Sequence, residues 1–297
     1  MRNRFLYFIQ IIRPANVVTA VADVIAGAAI AGFFSTGLDL EWSSLLLLVI
    51  STMGLYAGGI VFNDVFDYEL DKIERPERIL PSGKLSKKTA IIFGLTLLGF
   101  AVIAAFLVGW ESGLIAFGIA LLALLYDKYG KHHPVFGPLN MGLCRAFNLL
   151  LGVSIIPAAL PQFWGIGIIP ILFIGAVTLT SQKENTGDNQ SAIKIALGLD
   201  VLIMLVLITL GFIGLLNLSI ALVFLILWFV VNLRAKRKAI RFNNPANIQN
   251  AVKMGILSLI PLDASLAAGF SGNILLGIVV LSLLGLSIGL AKLFAVT

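Results

Sequence analysis

The chain has 297 residues, of which 59% are hydrophobic and 12% charged, with a net charge of +6 and a mean hydropathy of +1.01. That mix excludes an ordinary soluble domain and predicts an integral membrane protein. The positive charge then reflects membrane topology, because nucleic-acid binding would need a soluble basic domain that the pattern does not contain. A single cysteine, Cys144, excludes an intrachain disulfide and any multi-cysteine metal site.

In chain order, the apolar runs fall at about 15–34, 42–62, 89–109, 113–126, 138–158, 163–180, 192–214, 217–233, 248–270 and 274–294. Most match the roughly 20 residues needed to cross a bilayer, so the expected fold is all-α, a polytopic bundle of nine to ten transmembrane helices. The run at 113–126 is short for a crossing. Residues 15–34 follow Arg2, Arg4 and Arg13 but are too long for a signal-peptide core and contain Asn16 and Asp23, so no cleavage is expected.

With the N-terminus placed in the cytoplasm, twenty of the 21 Lys and Arg lie in or near 1–14, 71–88, 127–137, 181–191, 234–247 and the C-terminal tail. The exception is Arg145, inside the fifth run. This asymmetry predicts a multi-pass protein with both termini on the cytoplasmic side. No linker or second domain interrupts 1–297. A faint repeat links Pro14-Ala15-Asn16, Pro138-Leu139-Asn140 and Pro245-Ala246-Asn247, which open runs one, five and nine. A four-helix repeat would make runs two and six equivalent.

Chemistry gathers at the end of the second run. Asp64, Asp67 and Asp71 are spaced i, i+3, i+7 and share one face if the helix continues through them. Such a face repels itself and invites a divalent cation. After the sixth run, Glu184 and Asp188 at i, i+4 would form a second carboxylate pair on the same side of the membrane. Arg75, Arg78 and Lys84, with Lys128 and Lys131 after Tyr126, set cations among these acids. Acids alternating with bases around one cavity suit a phosphate or diphosphate bound through metal bridges and ion pairs, with Mg²⁺ the expected metal. Asn16, Asn140 and Arg145, polar groups near one end of their helices, are candidate substrate contacts. No nucleotide-cradling glycine motif occurs, which argues against a nucleotide-driven pump.

The run Asn63-Asp64-x-x-Asp67-x-x-x-Asp71, followed by Arg78-Ile79-Leu80-Pro81-Ser82-Gly83-Lys84, resembles the first signature of the UbiA superfamily of intramembrane prenyltransferases. Tyr126 with Lys131 is similar to the family's element after helix four, and Glu184-x-x-x-Asp188 falls where its second acidic motif belongs. The resemblance covers about 10–270 and makes 271–297 an added C-terminal helix. Ile79 and Glu184 depart from the usual Pro and Asp. The overall wording is most similar to the EboC-like bacterial branch, which points to the cell inner (cytoplasmic) membrane.

The resemblance implies one UbiA-like domain, its helices set around a central cavity opening to the cytoplasmic side. It also implies Mg²⁺-dependent transfer of an isoprenyl chain from an isoprenyl diphosphate to an aromatic or other lipophilic acceptor, within membrane lipid and without nucleic acid. Asp64, Asp67, Asp71, Glu184 and Asp188 would hold metal and serve catalysis. Asn16, Asn63, Arg78, Tyr126, Lys131, Asn140 and Arg145 would bind substrate. Two readings stand beside it: a non-catalytic isoprenoid-lipid carrier of the same fold, and a secondary transporter.

Overall fold

A computed structural model describes residues 2–34, 41–130, 133 and 135–294, with 2–4 described in backbone only. Its helices are α1 (Arg2–Ile11), α2 (Pro14–Ile30), α3 (Trp42–Phe66), α4 (Tyr68–Glu74), α5 (Lys87–Val108), α6 (Trp110–Leu125), α7 (Phe136–Val153), α8 (Leu160–Phe163), α9 (Ile168–Ser181), α10 (Gln190–Phe212), α11 (Leu218–Arg241), α12 (Pro245–Leu257), α13 (Leu259–Ser271) and α14 (Ile274–Leu293).

Every apolar run of the sequence falls on one of these helices or on consecutive ones. Among the described residues eight spans are long and apolar enough to cross a membrane, and the bent pair α1–α2 brings the number to nine. The remaining run is α7, whose buried Arg145 and Asn148 lower its hydropathy. The molecule is a multi-pass membrane protein. The run at 113–126 reaches full length because a π-helical turn, Tyr126–Gly130, extends α6, giving a span from Trp110 to Gly130. The run at 248–270 is broken at Ser258. Pro261 has no N–H to offer the carbonyl four residues back, and α12 gives way to α13 there.

Neighbours in sequence pack as neighbours in space: α2 on α3, α3 on α5, α5 on α6, α6 on α7, α7 on α9, α9 on α10, α10 on α11, and α11 on α13, which returns to α2. Helix α2 also packs on α7 and α14. Two of the three helices opened by Pro-x-Asn, α2 and α7, therefore meet face to face, and their backbones touch. A Cβ on Gly27 would stand 2.0 Å from the Leu149 carbonyl oxygen, and one on Gly152 would stand 2.2 Å from that of Val24. Without a hydrophobic drive between helices in lipid, such close approach gives the van der Waals contact that joins them. Gly27→Ala is expected to lower stability by about 1–3 kcal/mol, read as a fall in thermal-unfolding midpoint in detergent.

The two ends of the bundle differ in chemistry. Three of the four tryptophans, Trp42, Trp110 and Trp164, are exposed at or beside helix starts at one end, as an interfacial belt requires. The other end gathers the starts of α2, α7, α10 and α12 with the ends of α3, α6, α9, α11 and α14. Long-range bonds close it: Asn63 Nδ2 donates to Asp127 Oδ1 at 2.9 Å, the Asn189 N–H to Asn243 Oδ1 at 2.8 Å, and the Ser287 hydroxyl to the Ala15 carbonyl at 2.8 Å. The acidic motifs lie at this polar end.

Candidate active site

The first motif is built by a helix that falters within it. Helix α3 ends at Phe66, Asp67 is the junction, and α4 begins at Tyr68, while the Asp67 and Asp71 N–H groups still donate four residues back at 3.0 and 2.8 Å. The carboxylates thus keep nearly the one-sided placement their spacing predicts. Asp64 and Asp71 are buried, and two guanidiniums hold them. Arg13 binds Asp64 Oδ1, and Arg78 Nη1 stands 2.7 Å from Asp71 Oδ2 and 3.7 Å from the same Asp64 oxygen.

Arg13 was not among the residues singled out by sequence. It reaches Asp64 because the chain bends by 54° between α1 and α2, with Arg13 itself at φ 48° just before Pro14. A left-handed arginine before a proline is strained, and strain of this kind collects at functional sites. Its only sequence signal was its place beside the first of the three Pro-x-Asn helix starts.

The second motif departs from expectation. Glu184 and Asp188 are not one turn apart on a helix: α9 stops at Ser181, and 182–189 is a turn with Lys183, Gly187 and Asp188 all at positive φ. Positive φ cannot propagate a right-handed helix, so the shared helical face expected for the two carboxylates is not formed. Glu184 is half-buried and reaches the cavity described next, whereas Asp188 is exposed.

A cavity of about 440 Å³ is lined from α2, α3, α6, α7, α9, α12 and α13. Of the predicted substrate contacts, Asn16, Asn63, Tyr126 and Arg145 line it, joined by Arg13 and Glu184. Most of its remaining lining is apolar, with Leu55, Ile60, Val177 and Ile256 among it. Asn140 does not line it; its Oδ1 faces the Cys144 thiol at 3.8 Å on the same helix. Lys131 lies outside the described residues.

Arg145 is more tightly bound than a free substrate contact would be. Its Nη1 donates to Asp23 at 2.6 Å and its Nη2 to Thr19 at 2.5 Å, and the guanidinium lies 5.1 Å from the centre of the Tyr56 ring. Asn148 donates to the same Asp23 oxygen at 2.8 Å and accepts from Thr52 at 2.6 Å. Tyr56, Thr52 and Asn148 line the cavity without having been picked out by motif. Their spacing looks like that of any helix, and only the fold collects them.

The residues can be tested against a magnesium diphosphate. Among the described residues no three or more His, Cys, Asp or Glu side chains come close enough to hold an ion by themselves. The donor set nevertheless suits Mg²⁺: it consists of oxygens, few in number, of the kind that phosphate and water complete. Arg78 Nε is buried without a hydrogen-bond partner. An unspent guanidinium N–H beside paired carboxylates fits an oxyanion, since guanidinium and phosphate match fork to fork. The site therefore fits a metal-bound diphosphate.

An α-helical membrane bundle whose cavity is lined by apolar side chains together with Arg13, Glu184 and Asp127 offers surfaces for both an apolar tail and a charged head. The sequence pattern of the UbiA prenyltransferase family matches residues 24–258, and the chain belongs to that family. A digeranylgeranylglyceryl phosphate synthase of Thermococcus sibiricus is 39% identical over 145 residues, 49% of this chain and 50% of that protein. The chain spans about half the length of the curated relatives it matches most strongly. Among solved structures, one concerned with digeranylgeranylglyceryl phosphate synthase in membranes superposes with a TM-score of 0.68 at 21% identity, covering 92% of this chain and 100% of that one. A UbiA homolog from Archaeoglobus fulgidus bound to GPP and Mg²⁺ gives 0.59 at 19% identity, covering 93% and 99%. These structural likenesses show the fold.

Proposed function

We propose that this chain is a Mg²⁺-dependent intramembrane prenyltransferase that moves an isoprenyl chain from its diphosphate to the hydroxyl of a glyceryl phosphate lipid. The observation that carries the reading is the continuity of one cavity from a mouth holding Asn63, Arg13 and Glu184 to apolar walls. A diphosphate head at the mouth and an isoprenoid tail along the walls satisfy both surfaces. Family membership supports prenyl transfer, and the names of the relatives support the glyceryl phosphate acceptor.

In the reaction the allylic C–O bond breaks, its electron pair leaves with diphosphate, the acceptor oxygen bonds to the allylic carbon, and the hydroxyl proton passes to the diphosphate. Asp64, Asp67 and Asp71 would hold one Mg²⁺, and Glu184, which reaches the cavity, would contribute to another. Bound there, the ions supply Lewis-acid neutralisation of the leaving group. Arg13 and Arg78 bind the diphosphate oxygens as charge grows on them, with Lys131 assigned the same role. The Tyr126 ring at the mouth offers its face to the allylic cation. Leu55, Ile60 and Val177 exclude the water that would quench it.

Arg13 and Arg78 pair with Asp64 and Asp71, so a diphosphate must compete with these carboxylates for them. With a divalent ion held by the carboxylates, Arg13 and Arg78 would be free to bind the donor. Metal and donor would then bind cooperatively. Arg13→Gln is expected to raise the donor KM about 10- to 100-fold, the worth of a charged hydrogen bond, and steady-state kinetics measure it.

The deciding experiment offers purified protein geranyl, farnesyl and geranylgeranyl diphosphates with Mg²⁺ and either a glyceryl phosphate lipid or an aromatic acid. Diphosphate release stimulated by the glyceryl phosphate supports the proposal. Stimulation by the aromatic acid alone overturns the acceptor. Mg²⁺-dependent donor binding without turnover, under every acceptor, overturns the enzyme reading in favour of a carrier.

A further inference from the structure

The last third of the chain carries a charge pattern that the site above does not use. From residue 190 onward there are eight Lys and Arg but only two carboxylates. Both carboxylates, Asp200 and Asp263, are buried inside the bundle. The cations concentrate at the end of α11, where Arg234, Arg237, Lys238 and Arg241 follow directly on the apolar run. Their spacing of i, i+3, i+4, i+7 places all four on one face, and all four are exposed.

Lys236 lies on the opposite side of the helix, at 1% exposure, where its Nζ meets Asp200 Oδ2 at 2.5 Å. That buried pair fixes the rotation of α11 and turns the other four outward. It also fixes the register with α10, which is antiparallel across the short connection 213–217. Lys194, six residues from Asp200 in the direction of the polar end, is thereby level with Phe242 and is exposed.

Among the described residues none of these exposed cations forms an ion pair with a carboxylate. Asp188, brought near Asn243 by the Asn189 hydrogen bond, pairs with none of them. Basic residues at a helix C-terminus are favoured by its dipole, but the dipole does not require four on one face with no counter-charge. The surface is also shaped. Arg237, Lys238, Ile240, Arg241 and Phe242 line a groove of about 440 Å³, and exposed Phe242 lies 5.2 Å from the Arg241 guanidinium.

We propose that this groove is a binding site for the phosphate headgroup of an anionic membrane lipid, separate from the prenyl cavity. The cations begin where the apolar run ends, which is headgroup depth. The lipid phosphate lies against Arg237, Lys238 and Arg241, and Phe242 and Ile240 meet the start of its acyl chains. Each cation near an anionic bilayer surface strengthens binding by up to about fivefold.

The test titrates delipidated protein in detergent with phosphatidylglycerol or phosphatidylcholine and counts bound lipids by native mass spectrometry. Wild type is expected to retain phosphatidylglycerol over phosphatidylcholine. The triple variant Arg237→Gln, Lys238→Gln, Arg241→Gln is expected to lose that preference by tenfold or more. Lys87→Gln with Lys88→Gln, exposed cations elsewhere at the polar end, is expected to keep it.

Equal retention of the two lipids by wild type overturns the proposal, as does an unchanged preference in the triple variant or an equal loss in the control pair. Inorganic phosphate is added as a competitor, and displacement by it at concentrations comparable to the lipid assigns the groove to free phosphate and overturns the lipid. If the triple variant unfolds, Arg237→Glu alone gives the readout, and an unchanged preference there overturns it equally. Donor turnover is not part of the readout, so failure here is independent of the prenyltransferase reading.

Discussion

Asp71→Asn is expected to reduce turnover by about 10²–10³-fold, the size of effect seen when a preorganised charge at a leaving group is removed. The same substitution should tighten metal-free binding of the donor. In the wild type Arg78 is held by Asp71 at 2.7 Å; with the carboxylate neutralised, the guanidinium is free to meet a diphosphate without Mg²⁺. A purely structural lesion would weaken both properties together. Single-turnover kinetics with Mg²⁺ and isothermal titration of a non-hydrolysable donor without it read the two halves separately. Loss of turnover with weaker metal-free binding would refute the competition between carboxylate and diphosphate.

Arg145→Met is expected to cost about 3–5 kcal/mol of stability, because it leaves a buried carboxylate without its cation. Asp23 would keep Asn148 at 2.8 Å but lose the guanidinium, and the remaining polar groups lie inside the membrane. The thermal midpoint in detergent should fall sharply, and expression should fall with it. Adding Asp23→Leu to Arg145→Met should restore much of the loss, since a pair replaced by apolar groups costs far less than a pair broken. If the double variant is as unstable as the single, the pairing does not account for the effect.

The carboxylate motif was legible because its information is local. Asp64, Asp67 and Asp71 lie within eight residues, and helical geometry predicts their common face even across the break at Asp67. The apolar runs were legible for the same reason, as their length carries the signal. Arg13 and Asp64 are 51 residues apart, and Arg145 and Asp23 are 122 apart; nothing in either neighbourhood names its partner. The Glu184 and Asp188 geometry failed at one short segment, where Lys183, Gly187 and Asp188 adopt a handedness that spacing arguments assume away. The shortness of the fourth run was misleading because a π-helical turn lengthens it with polar residues that hydropathy does not count. Asn140 and Arg145 share a helix with a similar signal, yet only one of them faces the cavity.

The contact of α2 with α7 has a mechanical consequence. At Gly27 and Gly152 these two helices have no side chains between them to slide over, and the Arg145 to Asp23 pair bolts the same seam. A machine that rocked one half against the other would have to pull this seam apart and repay about 3–5 kcal/mol on every stroke. Such a bundle behaves as a fixed frame, and a ligand of its cavity would come and go without one half rocking against the other.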